Sequence, residues 1–178
     1  MTENKDMYSQ AKSQMRLSER IAAALPGFRG YKEKELRRES DKLIRNHLYL
    51  KLSGAKNDVR SISQKIADKR YMDVLTDIDR LTAKMDRVTE KVNHASYGYA
   101  GFYDIVKIKE ENLDRMITFD NQLLDNVNAL TSDIDALKAQ LLSGDYSNLK
   151  DKIQALTDKL EAFEDAFDKR EEVILGVD

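Results

Sequence analysis

Hydrophobic positions recur along most of this chain in steps of three and four, the spacing of one face of an α-helix. The first long series is Ile44, Leu48, Leu52, Ala55, Val59, Ile62 and Ile66. It runs through Gly54, and a lone glycine costs a helix interior only about 1 kcal/mol. The spacing therefore predicts one helix from Tyr31 to Asp68, roughly 57 Å long at about 1.5 Å per residue. A second series is Val74, Ile78, Leu81, Met85, Val88, Val92 and Ala95. A third runs Val106, Leu113, Ile117, Leu124, Val127, Leu130, Ile134, Leu137 and Leu141, with Asp120 as its polar interruption. The fourth is Leu149, Ile153, Leu156, Leu160, Phe163, Phe167 and Ile174, with Arg170 in the seam. Such seams belong to coiled coils and helical bundles. Residues 4–25 carry a weaker amphipathic pattern, with Met7, Ala11, Met15, Ala22 and Leu25 on one side.

The breaks between seams are carried by turn residues. Pro26 and Gly27 end the N-terminal segment, Gly98 and Gly101 flank an aromatic stretch, and Ser143, Gly144 and Asp145 separate the last two series. Ser147 is the expected N-cap of the final helix. A turn is also expected between Asp68 and Asp73, where the seam changes phase without Gly or Pro.

The two halves resemble each other. Gly27-Phe28-Arg29-Gly30-Tyr31 matches Gly98-Tyr99-Ala100-Gly101-Phe102 as Gly, aromatic, any residue, Gly, aromatic. Further on, Leu48, Leu52, Ala55, Val59, Ile62 and Ile66 align with Leu123, Val127, Leu130, Ile134, Leu137 and Leu141, and Tyr71 aligns with Tyr146. The offset between the halves grows by about one helical turn, which keeps a helix face in phase. The expected fold is all-α: two tandem antiparallel hairpins, residues 27–97 and 98–176, forming an elongated four-helix bundle or coiled coil. Residues 1–26 form an extra N-terminal amphipathic segment.

Composition narrows the function classes. Of 178 residues, 35% are charged and only 8 are Gly or Pro, too few turn formers for a sheet sandwich, a barrel or a loop-rich enzyme. The absence of Cys excludes disulfides, thiol chemistry and Cys-based metal sites. The longest apolar run without Gly, Ile21 to Leu25, is far short of the about 20 residues of a membrane span. The N-terminus lacks the apolar core of a secretory signal, so the expected location is cytoplasmic or membrane-peripheral. The net charge of −2 conceals a gradient. Residues 1–70 carry 17 Lys/Arg against 9 Asp/Glu, whereas residues 101–178 carry 9 against 18. Such asymmetry calls for pairing of basic with acidic helices, or for an anionic partner.

No constellation in the sequence supports catalysis. His47 and His94 lack the Glu-x-x-His spacing of di-iron bundles, and no His-Glu-x-x-His pair is present. The Gly-x-x-Gly spacings lack the strand and the Lys-Ser/Thr of a phosphate loop. No metal, cofactor or enzymatic activity is expected.

The aromatic corners are the most distinctive feature. Phe28, Tyr31, Tyr99, Phe102 and Tyr103 would gather at one end of the bundle, beside Arg29, Lys32, Arg37 and Arg38. Rings beside cations can stack on a partner, or can simply close the bundle end. These nine residues form the candidate partner-binding surface. The opposite end, with Tyr71 and Tyr146 at plain turns, offers less.

The stretch Leu25-Pro26-Gly27-Phe28-Arg29-Gly30-Tyr31-Lys32-Glu33-Lys34-Glu35-Leu36-Arg37-Arg38-Glu39 resembles the opening of a set of uncharacterised prokaryotic all-helical proteins. The resemblance continues at Tyr97 to Phe102 and at Ala166 to Ile174, covering residues 25–176. It implies a compact helical family with recurrent corners and transfers no activity. The functional expectation is a non-enzymatic scaffold or adaptor working through protein–protein contacts, with homo-oligomerisation admitted. The alternative is a peripheral protein that binds or remodels an anionic membrane. Nucleic acid is disfavoured as a partner, because Glu33, Glu35, Glu39 and Asp41 interleave with the bases.

Overall fold

The computed structural model describes residues 15–29, 34–95 and 110–175, and within them the chain is all-α, without a strand. Helix α1 covers residues 15–24, α2 Lys34–Asp68, α3 Met72–His94, α4 Glu110–Leu142 and α5 Leu149–Leu175. No helix among the described residues is long and apolar enough to cross a membrane. Residues 30–33, including Tyr31 where α2 was expected to start, lie outside the described residues, as does Val106.

The 3/4 spacing places one face of each long helix inward. From Ile44 to Ile66, Val74 to Val92, Ile117 to Leu141 and Leu149 to Phe167, the described apolar seam side chains are buried in one continuous core. Helix α2 packs on α3 and α4, and α5 packs on α4 and α3. Charged flanks give the directions. Arg60 and Lys56 of α2 reach Asp86 of α3 at 2.8 and 3.4 Å, and Ser63 donates to Asp79, so these helices run antiparallel. Lys159 pairs with Asp133, and Lys152 donates to Gln140, giving the same sense to α4 and α5. Between α3 and α5 the pairs Lys84–Glu161, Arg87–Glu164 and Lys91–Asp168 all join residues 77 apart, so those two helices run parallel in fixed register.

The charge gradient is only partly consumed by these ties. Arg20–Asp125 joins a base of the first part to an acid of the last, at 2.8 Å. Asp58–Lys138 and Asp41–Arg170 run the opposite way. The acidic side of α5 is instead met by the bases of α3.

Two helix ends use the same device. Arg70 N–H reaches the Ala67 carbonyl and Tyr71 N–H the Ile66 carbonyl; Gly144 and Asp145 repeat this onto Leu141 and Gln140. These are Schellman caps, and the residue at C′ must be left-handed. Gly144 has φ +83° and Arg70 has φ +57°. A chain can thus turn at 69–71 without glycine, by holding an arginine in a conformation that L-residues rarely adopt. Ser147 is not the N-cap of α5, which begins at Leu149. Its backbone N–H instead donates to the Asp145 carboxylate at 2.9 Å, an Asx turn.

The N-terminal segment docks rotated from the expected face. Leu25 is buried as expected, but Ile21 is buried with it and Leu17 partly so, whereas Ala22 is exposed and Met15 is 65% exposed. The rotation follows α4: Asn121 donates to the Leu17 carbonyl at 3.1 Å, and Arg20 pairs with Asp125. Met7 and Ala11 lie outside the described residues. After α1, Phe28 N–H returns to the Leu25 carbonyl at 3.1 Å, with Pro26 second and Gly27 third at φ +96°, the arrangement of a type II turn.

Gly54 sits inside α2, and a Cβ placed there would meet nothing within 4 Å. Gly54→Ala should therefore stabilise the chain by about 0.5–1 kcal/mol, by reducing the backbone freedom of the unfolded state. A higher urea midpoint at unchanged slope is the expected reading, and a lower one would mean that the position is crowded.

Acid should loosen the α3–α5 contact. Burial pushes the Glu164 carboxyl up, but the Lys91 and Arg87 cations beside it outweigh that and hold it below its usual value of 4.5. Because the folded value is the lower one, the associated stability is complete above pH 4.5 and is lost as pH falls through the folded value. Glu164→Gln should lower stability at neutral pH by about 0.5–1 kcal/mol, discounted for partial exposure. The gap should close as pH falls through the folded value, where the wild-type carboxyl is also protonated. A gap that persists there would assign the effect to packing.

Candidate functional site

At the end of the molecule where α1 turns into α2, the seams of three helices become polar. One step of three before Ile44 on α2 is Asp41, and its neighbour across the next turn is Arg45. The polar position in the α4 seam is Asp120, and that in the α5 seam is Arg170. The fold brings these four together. Arg170, 1% exposed, donates through Nε to Asp120 Oδ1 at 2.5 Å and through Nη1 to Asp41 Oδ1 at 2.8 Å. Arg45 donates through Nε to the other Asp41 oxygen at 2.8 Å, and its Nη2 lies 2.6 Å from that atom. Two guanidinium groups and two carboxylates thus alternate in one buried row that ties α2, α4 and α5. Burying charge is costly unless it is paired and hydrogen-bonded in this way. Asn121, next to Asp120, spans the Leu17 and Ile117 carbonyls and fixes α1 to the same region.

Arg45, 8% exposed, is the least buried member of this row. It lines a cleft of about 600 Å³ between α2 and the end of α3, together with Lys42, Asn46, Tyr49 and Asn93. Leu43 supplies apolar wall, and Glu39 an acid at the rim. The corner touches this wall: a Cβ on Gly27 would lie 3.6 Å from Leu43 Cδ1. The cleft therefore combines an apolar wall, amide and phenol groups, and a cation whose position is fixed by Asp41. Such a recess can bind and orient a ligand.

The described residues include only part of the candidate aromatic surface. Phe28 is buried in the core, so its ring closes the end of the molecule and is not offered to a partner. Arg29 is exposed beside it. Tyr31, Lys32, Tyr99, Phe102 and Tyr103 lie outside the described residues. Arg37 and Arg38 fall within α2, but their side chains lie outside the described part.

His47 is half-buried next to this region. Burial, helped by the nearby Lys51 cation, pushes its imidazole below the usual 6.5. His94 is exposed and lies 3.3 Å from Glu90. No cluster of His, Asp and Glu able to hold a metal occurs among the described residues.

No family model, no curated protein and no solved structure matches this chain.

Proposed function

We propose that this chain is a non-enzymatic helical scaffold or adaptor, built as two tandem antiparallel hairpins in an elongated four-helix bundle and acting through protein–protein contacts. The observation that carries the reading is the cleft beside Arg45. It is built on helices, and its cation is anchored by a buried ionic row, so a partner meets a surface ordered before binding. Lys42, Asn46 and Asn93 offer donors to a partner's carbonyls or carboxylates, while Leu43 and Tyr49 offer apolar area. The register ties between α3 and α5 support a rigid body that holds such a surface in place.

The test uses the double variant Arg29→Glu with Lys42→Glu, neither residue belonging to the buried row. The wild-type chain should capture a discrete set of proteins from native extract and fail to sediment with anionic vesicles. The variant should keep its helicity and thermal midpoint and lose those proteins. Sedimentation of the wild type with anionic but not neutral vesicles, abolished in the variant, would replace the adaptor reading with a peripheral-membrane one.

A further inference from the structure

Helix α1 rests on a face of α4 that the four long helices do not need. Met116, Leu123, Val127 and Leu130 carry the inward seam of α4. Ile117, Asn121 and Leu124 follow one another in steps of four and three and share a second face, one position further round the helix. Helix α1 meets that second face. Asn121 donates to the Leu17 carbonyl at 3.1 Å, and Arg20 grips both oxygens of Asp125, one turn on, at 2.8 and 3.0 Å. From Met15 to Leu25 only Ile21 and Leu25 are buried. The side chains of Arg20 and Asp125 are 56% and 58% exposed, so water screens their attraction. The helix is thus seated by two apolar side chains, one amide bond and one weak ion pair.

The link to the rest of the chain is built as a hinge. Phe28, just past the turn, is buried in the core and anchors the body there whether or not α1 is seated. Pro26 and Gly27 lie between Phe28 and Leu25. Pro26 biases Leu25 away from helical geometry and so marks the end of α1 as a separate element. Gly27 holds φ +96°, a value that glycine can leave without steric cost. The body can therefore stay closed while α1 swings about these two residues.

The contact itself names the occupant of this seat. A helix that fits needs a base, an apolar residue directly after it and another four places on, which Arg20, Ile21 and Leu25 supply. It must also set a carbonyl against Asn121, as Leu17 does. The α1 of a second copy carries all of these in the same register, so exchange between copies loses no contact. Two copies that exchange reciprocally fill both seats. We propose that α1 is an exchangeable arm, which leaves the α4 of its own chain and docks on the α4 of a second copy. Within one chain the short turn holds α1 at high effective concentration, so the arm stays at home in dilute solution and exchanges when the protein is concentrated. The Arg45 cleft plays no part in this exchange.

The experiment mixes two full-length charge variants, Arg20→Asp and Asp125→Arg. Alone, each sets like charges against each other at its seat, whether α1 stays home or exchanges with an identical copy. In an exchanged pair of the two variants, both seats hold opposite charges. Sedimentation velocity at roughly 0.5 mM, near the effective concentration of a short tether, should find about tenfold more dimer in the mixture than in either variant alone. High salt should remove the difference. Gly27→Val, which disfavours the positive φ of the closed turn, should raise the dimer fraction of an otherwise wild-type chain. Ile21→Glu with Leu25→Glu should leave a folded monomer at the same concentration. A mixture no more dimeric than its components would overturn the proposal, and so would a dimer indifferent to the Ile21/Leu25 variant. Unfolding of the body in that variant would make α1 part of the core and not an arm. Monomers throughout, with α1 amides exchanging hydrogen faster than those of α4, would assign the released seat to a helix of some other protein and reject the second copy.

Discussion

Replacing Asp120 by alanine is expected to lower the stability of this chain by about 3–5 kcal/mol, the cost of breaking a buried ion pair by removing one of its members. Asp120 is fully buried, and its carboxylate accepts from Arg170 Nε at 2.5 Å. Once it is removed, the described row holds two guanidinium charges against one carboxylate, because Asp41 already serves Arg45 as well as Arg170. Water cannot screen the excess, since Arg170 is only 1% exposed. A domain of this kind has about 5–15 kcal/mol in total, so the loss is a large share of it. Asp120→Asn keeps an acceptor for Nε and removes the charge, and should cost less, about 1.5–3 kcal/mol.

The same pair can be removed at little cost. Asp120→Leu with Arg170→Met takes both charges away together and leaves the Asp41–Arg45 pair intact. That double change should be neutral or stabilising by about 1–4 kcal/mol, since the desolvation of two ions no longer has to be offset. Urea unfolding of the three variants tests the assignment. A cost below about 1 kcal/mol for Asp120→Ala would mean that water reaches Arg170 in solution. A double variant that is neutral or stabilising beside a costly Asp120→Ala would make the role of the row geometric. Asp41, Asp120 and Arg170 come from α2, α4 and α5, and mispairing by one turn would strand charges in an apolar seam.

The sequence made the seams legible because burial on a helix is periodic, and a helix of 35 residues samples that period many times. It made the row only half legible. Asp120 and Arg170 stand out as polar positions within apolar series, and extending the α2 series by one step reaches Asp41. Their meeting depends on helix packing across separations of 50 and 129 residues, which no local pattern records. Opposite signs at equivalent seam positions were the available signal. The N-terminal helix misled because few apolar residues define its face, so contacts made by Asn121 and Asp125 set its rotation. At the far end, the alignment of Tyr71 with Tyr146 was legible, but the stacking of the two rings was not. The exposure of Met72 and Leu142 arises where α3 begins and α4 ends, beyond the reach of periodicity.

Leu137→Ala should cost about 2–5 kcal/mol, the range for truncating a buried leucine when the surroundings relax only partly. Leu137 is 2% exposed and lies well inside α4, away from both its ends. Leu142, five positions later on the same helix, is 65% exposed, and Leu142→Ala should change stability by less than about 0.5 kcal/mol. The contrast isolates burial, since residue type and helix are the same. The loss should also be shared by the whole molecule. Ile62 of α2 and Leu137 of α4 belong to one apolar cluster that includes residues of all five helices. A chain with one core unfolds in one transition, so probes in α2–α3 and in α4–α5 should shift together in Leu137→Ala. Fluorescence of a label on α3 and of another on α5 would follow the two pairs during urea unfolding. Coincident midpoints, both lowered, are the expected outcome. A midpoint that falls for the α5 label alone would mean that each helix pair folds on its own core, with the α3–α5 ion pairs merely bridging them.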